Sequence, residues 1–326
     1  MSVCRRTVLS LLAGAAAAPA GLQAIASADT YPSRPIHLVV GFTPGAASDV
    51  IGRLFAQGAG PVVGQQIVVE NKPGAGSIIA AQYVARAAKD GYTLFLPALS
   101  TLTNQIINPA PALDLNRDFA PIALLAIGAV VLVVNPSSNV HSVPELVALA
   151  KSKPGGVLYG STGQGSLPQL AAELFAQRAG VKLTHVPYPG SPQITEDLLA
   201  GRITMSFTIA SSVIGQIAAG QILALATAAT KRPRALPNVP TMAEAGMPDF
   251  DTGLWLGLAA PVGTPRSAVE TIAAAAKKAT HTPQVLESLR KQAYDPLDAG
   301  PDEFAEFLRK ETTRWTAVAR AAGMKS

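Results

Sequence analysis

Cysteine is nearly absent from this chain of 326 residues, which has Cys4 as its single cysteine. Cys4 lies in an N-terminal segment that we expect to be removed, so the remaining chain would hold no disulfide, no thiol nucleophile and no cysteine-bound metal. The folded protein must then be stabilised by its apolar core. The hydrophobic content of 48% permits such a core.

Histidine is also scarce, and the catalytic motifs that use it are missing. The four histidines, at positions 37, 141, 185 and 281, show no metal-ligand spacing. No serine lies in a G-x-S-x-G elbow, and the glycine-rich stretches match neither a Walker loop nor G-x-G-x-x-G. The sequence therefore predicts no catalytic residue, no metal site and no cofactor.

Neither sign of charge dominates, with 26 Lys and Arg against 21 Asp and Glu. No cluster of basic residues is interleaved with aromatic ones, which excludes a typical nucleic-acid-binding surface. The basic run at 231–234 is better interpreted as an exposed loop.

The N-terminus has the three parts of a secretory signal. Arg5 and Arg6 precede an uncharged, Leu- and Ala-rich run over 7–28, which ends in Ala26-Ser27-Ala28. This pattern predicts a signal peptide over 1–28, cleaved after Ala28. The adjacent arginines leave twin-arginine export open beside the general route. We therefore expect a soluble, exported protein.

Short β-branched runs alternate with Ala- and Leu-rich helical stretches, which indicates an α/β fold with mainly parallel sheets. The pattern predicts strands at 36–40, 67–70, 93–96, 129–135, 157–159, 183–186, 203–207, 222–227 and 255–260. It predicts helices at 48–58, 76–88, 143–151, 167–179, 191–200, 267–280, 283–292 and 301–322, and only helices after residue 260.

A strand, a Gly- and Ser-rich loop and a helix occur near residue 40 and again near residue 160. This twofold echo predicts two lobes that hold a ligand between them. We place the crossings near Gly128 and Gly253, so that 29–128 and 254–326 form lobe 1 and 129–253 forms lobe 2.

The first candidate ligand loop is 41–49. Gly45 and the small Ala46 allow a tight turn and close approach to the backbone. The free N–H groups of the following helix favour an anion, and we expect Ser48 or Asp49 to cap that helix. The alternative is an ordinary βα turn.

The second candidate loop, 160–166, offers hydroxyls and backbone amides that suit a carboxylate, with Ser166 as the expected helix cap and Pro168 in the first turn. A flexible turn is the alternative. The third loop, 184–191, contains Tyr188, which could cover a ligand, and Ser191, which could cap the next helix. We interpret its His185 as structural.

Several stretches, in order along the chain, resemble one family, the Bug-type periplasmic solute receptors of tripartite tricarboxylate transporters. The matching stretches lie at 31–36, 45–49, 68–76, 85–94, 118–122, 185–188, 236–241 and 259–265.

The resemblance implies a two-lobed periplasmic-binding-protein fold, type II-like, that closes on a small carboxylate and delivers it to membrane permease subunits. It implies no enzyme activity and no cofactor, and a monomer is expected. The ligand contacts that it implies are Thr43, Gly45, Ala46, Ser48, Asp49, Ser161, Thr162, Gly163, Gly165, Ser166, Tyr188 and Ser191.

The chain departs from the family pattern at three places. Ala46 replaces a usual glycine, Leu167-Pro168-Gln169 replaces a usual Pro-His, and Thr208 follows Phe207 where an Asp is common. The loss of an imidazole and a carboxylate predicts a ligand without an amino group, namely a mono- or dicarboxylate with an uncharged or aromatic body. A sensory co-receptor for a membrane kinase, and a secreted hydrolase, are the alternative functions.

Overall fold

The computed structural model describes residues 31–108, 113–250 and 252–324. The expected signal peptide and its cleavage site lie outside these residues. All elements named below belong to the compact unit 32–326.

The first sheet has six strands in the order β11-β4-β10-β3-β1-β2. β1 is parallel to β2 and β3, whereas β10 is antiparallel to β3 and β4, and β11 is antiparallel to β4. Its strands are β1 (Ile36–Val40), β2 (Ile67–Asn71), β3 (Thr93–Leu96), β4 (Phe119–Gly128), β10 (Leu254–Pro261) and β11 (Tyr294–Pro296).

The second sheet has five strands in the order β7-β6-β8-β5-β9. β6 is parallel to β7 and β8, and β5 is antiparallel to β8 and β9. Its strands are β5 (Val130–Val134), β6 (Leu158–Ser161), β7 (Thr184–Pro187), β8 (Met205–Ile209) and β9 (Leu223–Thr227).

The prediction of mainly parallel sheets was wrong, because both sheets are mixed. Helical crossovers produce the parallel pairs, as expected. However, only Ala129 separates β4 from β5, so the chain passes directly from one sheet into the other without a helix. β5 and the returning strand β10 then lie antiparallel to their neighbours.

Helices connect and cover both sheets. They are α1 (Ala47–Val63), α2 (Ile78–Ala85), α3 (Leu99–Ile107), α4 (Leu115–Asp118), α5 (Val143–Ser152), α6 (Leu167–Ala179), α7 (Ser191–Leu199), α8 (Ile214–Ala218), α9 (Arg266–Thr280), α10 (Pro283–Lys291) and α11 (Pro301–Ala321). None of the helices in the described ranges is long and apolar enough to cross a membrane.

The sequence predicted most of these elements but missed β4, β11, α3, α4 and α8. β4 contains Pro121 and several alanines, which are poor strand formers, and its pairing with β10 and β11 stabilises it. The predicted all-helical C-terminus was wrong, because the three-residue β11 adds to the edge of β4.

β10 presents its two faces to different surroundings. Trp255 is fully buried, and its indole Nε1 donates to Glu311 Oε2 at 3.2 Å. The indole of Trp315, which lies in α11 itself, donates to the same oxygen at 2.9 Å, so the bond from Trp255 is the one that joins β10 to α11. Leu254 and Leu256 line a cavity instead. The alternation of side chains along a strand explains this division.

Candidate functional site

A cavity of about 280 Å³ lies between the two sheets. A larger surface depression, of about 820 Å³, lies beside α1 and β2 and contains none of the predicted ligand contacts. Among the described residues, no charged side chain lines the smaller cavity. Its lining is Phe42, Ala46, Ala47, Ser48, Ala98, Ser100, Val130, Thr162, Ser166, Leu167, Pro168, Ser191, Phe207, Thr208, Ile209, Leu254 and Leu256.

The start of α1 forms one wall of this cavity. Gly45 adopts a φ of 84°, which suits glycine, and Ala46 is the N-cap. The predicted capping by Ser48 or Asp49 was therefore wrong, because both lie inside the first turn. Asp49 instead reaches back, and its Oδ2 accepts the Gly45 N–H at 2.9 Å.

The start of α6 has the same geometry in the other sheet. Gly165 has a φ of 74°, and its N–H donates to Gln169 Oε1 at 2.7 Å. Ser166 is the N-cap residue, as predicted, although its hydroxyl donates to the Gly163 carbonyl oxygen at 2.7 Å and does not cap the helix. The twofold echo in sequence thus corresponds to two helix N-termini at one cavity.

The Asp49 carboxylate is buried and fully engaged within the protein. Its Oδ1 accepts from Asn71 Nδ2 at 2.8 Å, and Arg53 forms an ion pair with it at 3.0 Å. Burial alone would raise the pKa of Asp49, but the hydrogen bonds from Arg53, Gly45 and Asn71 lower that pKa below its usual value. Asp49 shapes the loop and is not part of the cavity lining.

The buried Ser161 and the half-buried His185 form a polar pair behind the second loop. The Ser161 Oγ lies 2.6 Å from His185 Nε2 and accepts the Gly163 N–H at 3.1 Å. The imidazole stacks on Tyr159, with ring centroids 5.0 Å apart, and burial lowers the pKa of His185. Through Ser161, His185 therefore positions the glycine loop.

The third loop contributes one residue to the cavity lining. Ser191 lines the cavity, but Gly190 caps α7, so the predicted capping by Ser191 was wrong. The Tyr188 hydroxyl donates to Asp197 Oδ2 at 2.7 Å, outside the lining. Burial, together with this bond, raises the pKa of Tyr188 to about 12.

The cavity thus brings together five of the predicted contacts. These are Ala46, Ser48, Thr162, Ser166 and Ser191. The other seven lie in or behind the same loops and outside the lining; they are Thr43, Gly45, Asp49, Ser161, Gly163, Gly165 and Tyr188.

Sequence reasoning missed the floor of the cavity. Thr208 was noted only as a departure from the family pattern. Ser100 follows a predicted strand, but the helix that positions it was not predicted. Val130, Leu254 and Leu256 could not be distinguished from ordinary core residues.

No group of three His, Cys, Asp or Glu side chains in the described ranges could hold a metal ion. The chemistry available at the cavity is hydrogen bonding by hydroxyls and backbone N–H groups, and apolar contact.

Known proteins share both the sequence and the fold of this chain. The model of the tripartite tricarboxylate transporter family receptor matches residues 51–324. Protein BugT of Bordetella pertussis (strain Tohama I) is 35% identical over 321 residues, which is 98% of each chain. The protein in the tcbD-tcbE intergenic region of Pseudomonas sp. (strain P51) is 38% identical over 88% of this chain and 86% of its own length.

Two solved structures carry bound carboxylates. R. palustris Rpa4515 with adipate has a TM-score of 0.76 and 33% identity, over 90% of this chain and 99% of that one. MatC from Rhodopseudomonas palustris with bound malate has a TM-score of 0.72 and 30% identity, over 88% and 99%. The chain therefore belongs to the tripartite tricarboxylate transporter receptor family, as a two-lobed solute-binding protein of the Bug type.

Proposed function

We propose that this protein captures a small carboxylate in the periplasm and delivers it to the membrane permease subunits of a tripartite tricarboxylate-type transporter. The observation that carries the proposal is the pair of helix N-termini, α1 and α6, at one cavity without charged side chains. The carboxylates in the structures of Rpa4515 and MatC support the class of ligand.

The two helix starts would hold the carboxylate from opposite sides. The first three N–H groups of a helix have no intrahelical partner and carry the positive end of the helix dipole. α1 offers such donors at Ala47 and Ser48, together with the Ser48 hydroxyl. α6 offers the Leu167 N–H, and the preceding loop offers the Thr162 hydroxyl, but the Ser166 hydroxyl already donates to the Gly163 carbonyl oxygen and Pro168 lacks an N–H. The first loop would therefore bind the anion more strongly.

The remaining lining selects the body of the ligand. Phe42, Phe207, Val130 and Leu254 present apolar surface. This surface favours a mono- or dicarboxylate with an uncharged body, and an aromatic ring is compatible with it. An ammonium group would find no carboxylate among the lining residues.

Closure of the lobes, divided at 128/129 and 253/254 as the sequence predicts, would complete the site, because each sheet supplies only one of the two helix starts. We further propose export with cleavage after Ala28, and a monomer that docks on its permease. A sensory role would use the same cavity.

Ser161 is fully buried and is held by His185 and Gly163. A fully buried hydroxyl cannot reach a substrate as a nucleophile, so the position of Ser161 does not favour a hydrolase.

The test is calorimetric and thermal titration of the chain from residue 29 onward with carboxylic acids and their matching amides. Binding at 100 times Kd should stabilise the folded protein by about 2.7 kcal/mol. Ser48→Ala should weaken the binding of every acid about tenfold, since it removes one charge-assisted hydrogen bond. Ser267→Ala is the matched control, because Ser267 holds the same second position in the exposed first turn of α9. Equal binding of acids and amides would contradict the proposal.

A further inference from the structure

The Ser100 hydroxyl has no hydrogen-bond partner among the described residues of the protein, and its oxygen is buried. Ser100 nevertheless lines the cavity. A buried hydroxyl without a partner destabilises a protein, so a native structure that keeps one calls for a bound group that satisfies it.

The strand order locates Ser100 near the floor of the cavity. It is the second residue of α3, which follows β3, and β3 lies between β1 and β10. Ala98, two residues earlier, forms an isolated bridge with Leu256 of β10. Ser100 therefore lies on the β10 side of the α1 loop, toward Leu254 and Leu256.

Thr208 lines the same cavity from the second sheet. It lies in β8, between β6 and β5. The Ser212 hydroxyl donates to the Ile209 carbonyl oxygen at 2.7 Å, so its hydrogen is committed. In the 3.1 Å contact between the two hydroxyls, Thr208 must then be the donor. Thr208 consequently presents only oxygen lone pairs to the cavity.

We propose that the ligand is a monocarboxylate with an apolar body and a hydroxyl at its far end, which accepts a hydrogen bond from Ser100 and donates one to Thr208. This inference rests on the proposed carboxylate function and narrows its ligand class. A hydroxyl satisfies both side chains, because it is donor and acceptor at once. A second carboxylate would face the lone pairs of Thr208 without any cationic side chain in the lining.

The experiment compares two matched series of acids by titration calorimetry. One is hexanoate with its ω-hydroxy, ω-methoxy and ω-carboxy derivatives, the last being adipate. The other is phenylpropanoate with its para-hydroxy, para-methoxy and para-carboxy derivatives. In at least one series, the hydroxy acid should bind about tenfold or more tightly than the other three members. The methoxy acid can accept from Ser100 but cannot donate to Thr208.

Two variants assign the effect to the two side chains. Ser100→Ala should reduce the ratio of hydroxy-acid to unsubstituted-acid affinity severalfold, since only the bond to Thr208 remains, and Thr208→Val should abolish the preference for hydroxy over methoxy. Ser267→Ala should leave both ratios unchanged. Because Ser100→Ala removes an unpaired buried hydroxyl, the ligand-free variant should unfold at the same or a higher temperature.

The outcomes separate this inference from the function on which it rests. Acids that bind better than their amides, but with no preference for the hydroxy member, would leave the carboxylate function standing and overturn this inference. Tighter binding of the ω-carboxy or para-carboxy acid, or an unchanged ratio in Ser100→Ala, would also overturn it. Binding no better for acids than for amides would overturn the carboxylate function itself.

Discussion

Asp49 and Gln169 hold the same position in their helices, three residues after the N-cap, and both accept the N–H of a glycine in the preceding loop. They differ in charge, and Arg53 balances only Asp49. Asp49, which the sequence predicted as a ligand contact, thus supports the loop at Gly45 from within the protein. Its neutralised carboxylate does not repel an anion at the neighbouring helix start as strongly as a free one would.

Replacing Asp49 with Asn should lower the free energy of unfolding by about 1–3 kcal/mol, since buried charge-assisted bonds to Gly45 and Arg53 are lost. Because folding lowers the pKa of Asp49, its stabilisation is complete above the unfolded value of 3.8 and is lost as the pH falls through the folded value. Urea unfolding of wild type and variant near pH 7 and pH 3 should therefore show a smaller difference at pH 3.

The exposed ion pair of Arg266 and Glu270 is the control for this comparison. Glu270→Gln should change the free energy of unfolding by about 0.5 kcal/mol or less. If Asp49→Asn lowers the free energy of unfolding by no more than this, the hydrogen bonds and ion pair of Asp49 contribute little to stability.

His185 makes the second loop sensitive to acid. Burial lowers its pKa in the folded protein, so the unfolded chain takes up the proton first as the pH falls below about 6.5. The stabilisation is thus complete above pH 6.5 and decreases at lower pH. His185→Gln should unfold with a flatter pH dependence than wild type between about pH 7 and pH 5. Parallel curves would contradict a pKa of His185 that is lowered in the folded protein.

At the scale of elements, the sequence predicted the helices and strands whose boundaries are set by local hydrophobic patterns. β1, β3 and α6 begin and end where periodicity placed them. Strand direction and the short β11 depend on pairing with distant residues, which no local pattern reports. For the same reason the loops of the site could be predicted, whereas the floor from β10, α3 and β8 could not.

The equivalent glycines at the two helix starts should respond differently to substitution. Both have positive φ, so alanine should cost about 1 kcal/mol at each. A Cβ on Gly45 meets open space, but a Cβ on Gly165 would overlap the Ile107 side chain. Gly165→Ala should therefore lower the free energy of unfolding by clearly more than Gly45→Ala, in urea titrations of both variants. Equal losses would mean that Ile107 moves aside freely.

At the scale of the whole molecule, the two sheets share a cavity whose polar groups come from both. One sheet supplies Ser48 and Ser100, and the other supplies Ser166 and Thr208. A ligand that contacts all four residues must draw the sheets together, because each sheet supplies only two of them. The family shares this architecture, and under the proposed function the side chains at the floor would select the acid.

A bound acid should therefore reduce the radius of gyration measured by small-angle X-ray scattering, through closure of the lobes. The matching amide, at the same concentration, should leave the radius unchanged. If the acid and its amide both reduce the radius, closure of the lobes does not depend on recognition of the carboxylate.

The alternation along β10 gives the protein a built-in optical reporter. Leu254 and Leu256 touch the ligand cavity, while the indole of Trp255 between them is bonded to Glu311 on the opposite face. Trp315 is the only other tryptophan in the chain. In Trp315→Phe, the emission of Trp255 should shift when an acid occupies the cavity, so that ligand capture can be followed in real time without any label.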